Sequence, residues 1–221
     1  MLGPKYNGVA LAKALSAHLG KQTLADAKHA IVVPAVDVTR SRTKIFKTPH
    51  ASSSRGDEDI RAASVAMATS AAPAYFPSVR VADALYADGG LFAVAPDQVA
   101  MHEATHFMRV AEPRIRMLSV GTATANYRPS EPAEVGDGAV DWLSDGRLIL
   151  TLISVQQQHV QAMMEDRLKD RYLHLDADWP IGAELGIDIA TDPAAQLLIG
   201  LADRTLAEPA MRKAERLFLA R

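Results

Sequence analysis

Two groups of residues in this chain have types and spacing that could do chemistry: one carboxylate on a glycine-rich turn, and one histidine pair at helical spacing. The carboxylate is Asp88, followed by Gly89 and Gly90 and preceded by the small-residue stretch Ala68-Thr-Ser-Ala-Ala-Pro-Ala-Tyr-Phe-Pro77. By turn chemistry alone, Asp88-Gly-Gly closes a hairpin between Ala84–Tyr86 and Leu91–Phe92. The histidine pair is His102-Glu-Ala-Thr-His106, a literal H-E-x-x-H. On a helix both imidazoles would face one side, as zinc needs, with Glu103 as general base. The surroundings argue against zinc. No His-x-x-Gly-x-x-His continuation follows, and the third-ligand candidates Glu131 and Glu134 lie in a Pro/Gly-rich loop.

A nucleophile is harder to find. Ser16, Ser41, Ser52 to Ser54, Ser64, Ser70, Ser78, Ser119, Ser130, Ser144 and Ser154 all lack the two flanking glycines of G-x-S-x-G. That motif needs small residues because its serine sits on a strained strand-to-helix turn. His18, His29, His50, His159 and His174 are scattered among unlike segments and read as surface or locally bonded histidines. Arg40, Arg42, Lys44 and Lys47 form a small basic cluster that could meet lipid phosphates, although Asp37 beside them favours a solvated face. Gly121-Thr-Ala-Thr ends an expected strand and is a secondary candidate, because open α/β sheets bind ligands there.

The elements that must position these residues follow from periodicity. Asn7 can cap a helix with Val9, Ala12, Leu15 and Leu19 on one face and Gly20 as its stop. Ala30–Val38 reads as a buried strand, with Pro34 pointing to an edge or bulge, and a second strand is expected around Thr43–Lys47. Asp57, Glu58 and Asp59 are expected at the positive end of a helix running to about Thr69. Pro96 opens a helix through Met108, and Arg114–Val120 reads as a strand. Pro129–Gly138 is a polar loop. Trp142–Met164 is a long helical pattern, with Met163 and Met164 as core. A short strand at Tyr172–Leu175 and helices at 192–206 and 208–220 complete the chain. Strands separated by helices predict an α/β layered fold with a largely parallel or mixed sheet.

With 221 residues, 48% apolar and 23% charged, the chain is long enough for one core, so a single domain over 1–221 is expected. A net charge of −2 supplies no basic field, so nucleic-acid binding is not expected. Absence of cysteine removes disulfides and thiolate metal sites. No basic start with an apolar core marks a secretory leader, and a cytoplasmic protein is expected. The longest uncharged run, Ala62–Val79, is broken by Pro73 and Pro77 and reads as helix end plus loop.

Taken in order, Tyr6-Asn-Gly, Ala30-Ile-Val-Val-Pro-Ala-Val-Asp-Val-Thr39, Lys44-Ile-Phe46, Ala68–Pro77 and Tyr86-Ala-Asp-Gly-Gly90 resemble the patatin-like phospholipases, serine lipid acyl hydrolases with a serine–aspartate dyad. The resemblance implies a three-layer α/β/α fold, here lacking the N-terminal glycine-rich oxyanion loop and the nucleophile elbow. It implies that Asp88 accepts the proton of a serine outside this chain, that Gly89 and Gly90 form the active-site turn, and that no metal or cofactor takes part. A carboxylate near its ordinary pKa of ~4 is a weak base for an alcohol, so such a dyad depends on close geometry and oxyanion stabilisation. The implied substrate is a membrane phospholipid or lysophospholipid at the inner membrane surface. The region from Val140-Asp-Trp-Leu to His174-Leu-Asp176 is similar to bacterial patatin-like phospholipases of antiphage systems, which a cyclic nucleotide switches on. A chain without its leading strands is expected to meet a missing half or partner chain and to oligomerise, because it would expose apolar faces and unpaired edges. A non-catalytic remnant is the alternative.

Overall fold

The computed structural model describes residues 3–51, 55–123, 127, 136, 138–143, 147–178, 180, 185–186, 188–207 and 209–219. Ser52 to Ser54, Ser130, Ser144, Glu131, Glu134, Gly146 and most of the Pro129–Gly138 loop lie outside the described residues. The chain divides into two compact units, Met1–Glu112 and Pro113–Arg221.

In the first unit, helix α1 (Val9–Leu19) begins where Asn7 Oδ1 accepts the Val9 N–H at 3.1 Å. It stops at Gly20, whose φ of 57° supplies the turn that other residues resist. Strands β1 (Val32–Asp37), β2 (Arg42–Lys47), β3 (Val79–Val81) and β4 (Ala84–Asp88) form one sheet in the order β2-β1-β4-β3, with every neighbouring pair antiparallel. The mixed α/β class expected from the sequence holds, but this sheet is not parallel, because short turns rather than helical crossovers join β1 to β2 and β3 to β4. β1 is also an interior strand, not an edge. It tolerates Pro34 because pairing with β4 runs only from Ala35 to Asp37. The missing N–H falls beyond that ladder, and the Pro34 carbonyl accepts the Thr69 hydroxyl at 2.7 Å.

Antiparallel partners share a sheet face and side chains alternate along each strand. Ala35, Phe46, Ala84, Tyr86 and Asp88 therefore lie on one face. Helix α2 (Ala62–Thr69) covers it, burying Val65 and Ala68 against Ala35, Phe46, Val81, Ala84 and Tyr86. The acidic residues 57–59 do not serve the α2 dipole as expected, since the helix begins only at Ala62. Asp57 instead bonds Lys44 Nζ at 2.6 Å and the Lys47 N–H at 3.1 Å, which pins β2.

Helix α3 (Asp97–His102) continues into a widened π turn over Glu103–Phe107. In the second unit, β5 (Met117–Val120) pairs in parallel with β6 (Tyr172–Leu175). Helices α4 (Ala139–Leu143), α5 (Arg147–Leu168), α6 (Asp192–Ala207) and α7 (Pro209–Ala214) make up the rest, with a π turn at Glu215–Leu219. On α5, Met164 and Leu168 are buried as core, but Met163 is exposed along with Leu152 and Val155. The buried face of this helix is unexpectedly polar, with Arg147, Ser154 and Gln157 inside. No helix among the described residues is long and apolar enough to cross a membrane.

Candidate active site

Asp88 is the last residue of β4, and its position is fixed at both ends. Its N–H donates to the Ala71 carbonyl at 3.0 Å, tying the strand end to the small-residue segment that leaves α2. Its side chain turns back to accept the Gly90 N–H on Oδ1 at 2.6 Å, capping a single 3₁₀ turn over Gly89–Leu91. This corrects the hairpin reading. The hairpin turn lies earlier, at Ala82–Asp83 between β3 and β4, and Asp88-Gly-Gly leads out of the sheet. A capping carboxylate favours a helical turn over a two-residue hairpin loop because it satisfies the first free N–H.

Gly89 is required here by space. A Cβ at this position would lie 2.6 Å from the Pro34 carbonyl carbon and 2.9 Å from Pro34 Cβ, with the Pro34 oxygen closer still. A Cβ on Gly90 would sit 3.0 Å from Asp88 Oδ1. The glycine pair thus lets the β4 exit pass the β1 backbone while its second amide holds the carboxylate.

Burial pushes the Asp88 carboxyl above the ordinary aspartate range, and the Gly90 N–H offsets only part of that. A raised carboxyl is a better match to a proton-accepting role near neutral pH than an ordinary one. With Oδ1 on Gly90 and no donor on Oδ2 among the described residues, the carboxylate keeps one oxygen open. The site offers a single oriented base.

The H-E-x-x-H residues are arranged differently from a zinc site. His102 and His106 are exposed and their rings stack at 5.0 Å, each edge-on to Phe107. Glu103 is only 5% exposed and points the other way. Its carboxylate takes Lys47 Nζ at 2.5 Å on one oxygen and His50 Nε2 at 2.9 Å on the other. A glutamate so committed cannot act as the general base of that motif. Among the described residues, no three histidine, aspartate or glutamate side chains are placed to hold a metal ion.

The Glu103 cluster was not legible from sequence, since His50 lies 53 residues away. Burial raises the Glu103 carboxyl, but Lys47 and His50 together bring it below the usual glutamate range. A lowered folded-state pKa stabilises the native state at pH above the unfolded glutamate value, and that stability is lost as pH falls through the lowered value. Glu103→Gln is expected to cost about 1–3 kcal/mol at pH 7, and to flatten the acid side of a stability-against-pH curve from urea unfolding. An unchanged acid limb would show that the cluster contributes nothing to stability.

The basic cluster is neutralised within the unit. Arg40 and Arg42 bond Asp37 at 3.1 and 3.2 Å, Arg40 also reaches Asp83, Lys44 bonds Asp57 and Lys47 bonds Glu103. Asp37 itself is almost fully buried, which the sequence did not suggest. In the second unit, the Gly121 loop is clamped by Asp176, whose Oδ1 accepts the Ala123 N–H at 2.7 Å. Thr124 lies outside the described residues.

Comparison with known proteins relates the sequence that builds this site to a family. The patatin-like phospholipase family model matches residues 1–101, which contain β1–β4, α2 and the whole Asp88 turn. Residues 1–101 are similar to the patatin-like phospholipases. Among curated proteins, the chain is 34% identical over 79% of its length to a "cGAMP-activated phospholipase" of Pseudomonas aeruginosa, covering 52% of that protein. It is 33% identical over 91% of its length to a protein of the same name from Vibrio cholerae, covering 61% of it. It is also 24% identical over 96% of its length to "Patatin-like protein 2" of Arabidopsis thaliana, covering 59%. The chain thus spans between half and two thirds of the length of these relatives.

Proposed function

We propose that this chain supplies the acid half of a patatin-like serine acyl hydrolase that cleaves phospholipid or lysophospholipid esters at a membrane surface. The observation that carries this reading is the Asp88 turn: a partly buried carboxylate with a raised pKa and one oxygen open, inside the patatin-matching segment. In the reaction, the serine Oγ of a G-x-S-x-G turn attacks the ester carbonyl while an Asp88 oxygen takes its proton. The leaving alcohol then recovers that proton, and water releases the acyl group from the seryl ester by the same exchange. Gly89 and Gly90 let the backbone approach the nucleophile turn. No metal is needed for these steps.

The names of the bacterial relatives support a second element of the reading, that a cyclic nucleotide controls the activity. Such a switch suits an antiphage effector that degrades the membrane of its own cell, because an unregulated enzyme would be toxic. The chain would work joined to, or assembled with, a segment that carries the oxyanion loop and elbow.

The test is phospholipid hydrolysis by the gene product at its natural length, and by this chain complemented with a patatin-type G-x-S-x-G segment. Labelling by a serine-directed fluorophosphonate serves as the second readout. Ester cleavage and labelling in either sample are expected. A natural-length protein that neither labels nor cleaves, even with cyclic nucleotide and the added segment, would establish the alternative of a non-catalytic patatin-like half.

A further inference from the structure

The ladder that delivers Asp88 stops at a particular rung. β1 and β4 pair Ala35 with Asp88, Val36 with Ala87 and Asp37 with Tyr86. The next rung of that register would set Pro34 against Gly89. Alternate residues of a strand turn their backbone groups to the same side. Val38 donates to the Leu85 carbonyl at 2.9 Å, so the Pro34 carbonyl is turned toward β4 as well. The closeness of Gly89 agrees, since a Cβ there would lie 2.6 Å from the Pro34 carbonyl carbon. Yet the pairing ends at Asp88, and the two groups that Pro34 could bring to the rung explain why. Its nitrogen carries no hydrogen. Its carbonyl accepts the Thr69 hydroxyl at 2.7 Å.

Thr69 is the last residue of α2. A helical threonine ordinarily turns its hydroxyl back to a carbonyl three or four residues earlier. This one is spent instead on a strand 35 residues away. Two residues on, the Ala71 carbonyl accepts the Asp88 N–H at 3.0 Å. The short segment Thr69–Ala71 therefore holds both strands at their ends, β4 by its main chain and β1 by a side chain. Only the side-chain tie can be removed by substitution.

Resting on the acyl-hydrolase reading above, we infer that Thr69 is a positioning residue for the Asp88 carboxylate: its hydroxyl occupies the Pro34 carbonyl, ends β4 at Asp88 and leaves the glycine pair to form the turn that holds Oδ1. Without that hydroxyl, the Pro34 carbonyl is a part-buried acceptor short of a donor, and the register places the Gly89 N–H next to it. Taking up that donor adds a rung to β4 and draws the 3₁₀ turn out of place, so the Gly90 N–H no longer meets Oδ1 at 2.6 Å. The carboxylate keeps its chemistry and loses its direction. Serine at position 69 presents the same hydroxyl, whereas valine presents nearly the same shape without it.

The test is steady-state hydrolysis of phosphatidylglycerol vesicles by the natural-length gene product, comparing the unaltered protein with Thr69→Val, Thr69→Ser and Asp88→Asn. Amide hydrogen exchange at Gly90 is a second readout that needs no turnover, and thermal melts set an assay temperature at which every variant is folded. Thr69→Val is expected to lower kcat about 10–10²-fold with KM unchanged, as misplacement on the ångström scale does, and to speed exchange of the Gly90 amide. Thr69→Ser is expected to restore both. A lower melting temperature with full kcat in Thr69→Val, beside an inactive Asp88→Asn, would overturn the inference and leave the acyl-hydrolase reading standing. An active Asp88→Asn would overturn that reading, and the role given to Thr69 with it. Unchanged Gly90 exchange in Thr69→Val would overturn the positioning by itself, whatever the turnover.

Discussion

Replacing Asp88 by asparagine is expected to lower ester turnover about 10²–10⁴-fold, the usual contribution of a positioned proton acceptor. The substitution keeps the size of the side chain, and its amide oxygen can still accept the Gly90 N–H, so the turn should persist while the base is lost. The effect on stability should run the other way. Burial raises the Asp88 carboxyl, so the folded state holds its proton more tightly than the unfolded chain does. As pH rises through the unfolded and then the raised folded value, that preference becomes a cost, because a buried carboxylate must be ionised. A neutral amide carries no such cost. At pH 7 the Asp88→Asn variant should therefore be at least as stable as the unaltered protein by urea unfolding, and nearly inactive on phospholipid vesicles in the complemented assay. The acid limb of the pH–rate profile of the unaltered protein should also lie above the ordinary aspartate range. A variant that keeps its turnover would remove Asp88 from the chemistry.

Gly89→Ala should be the most damaging single methyl group in the first unit. Its Cβ would meet the Pro34 carbonyl carbon at 2.6 Å and the Pro34 oxygen closer still, and both belong to the backbone of the central strand β1. A flexible side chain could move aside, but a paired interior strand cannot without breaking its ladder. Overpacking of this kind costs about 1–3 kcal/mol where side chains can yield, and more where they cannot, so a loss at or above ~3 kcal/mol is expected. Chemical denaturation of Gly89→Ala against Gly90→Ala is the measurement. At Gly90 the methyl would meet only the Asp88 Oδ1 it helps to hold, at 3.0 Å, with Val94 Cγ2 at 3.7 Å. Gly90→Ala should therefore be milder in stability and should act instead on the carboxylate position. Equal and small losses at the two positions would show that β1 and the 3₁₀ turn are not in rigid contact.

The importance of these two residues follows from different kinds of information. Asp88, the glycine pair and the small-residue stretch before them are contiguous, so one strip of sequence shows that a carboxylate is held on a tight exit turn. The same holds for α1, β1, β2, β5, β6 and α6, whose periodicity and capping residues are local. Where the sequence misled, the deciding contacts were long-range. Pro34 looked like an edge residue because a missing donor is normally tolerated only there, but the short β4 ladder leaves that position unpaired inside the sheet. Residues 57–59 looked like a dipole feature because a helix follows, but Asp57 is drawn to Lys44 on β2. Glu103 looked like part of a metal motif because helical spacing fixes only which residues share a face, not which face is buried.

Residue order is enough to show the likeness to the patatin-like phospholipases over residues 1–101, the mixed α/β class and the carboxylate on which the chemistry is proposed to rest, because these depend on short motifs and local patterns. It is not enough to show that burial raises the Asp88 carboxyl, that Glu103 is bound to Lys47 and His50, or that Asp176 clamps the Ala123 amide. Those facts come from folding, which brings groups remote in the chain within hydrogen-bond distance and sets how much water the surrounding chain excludes. No periodicity or motif encodes either quantity.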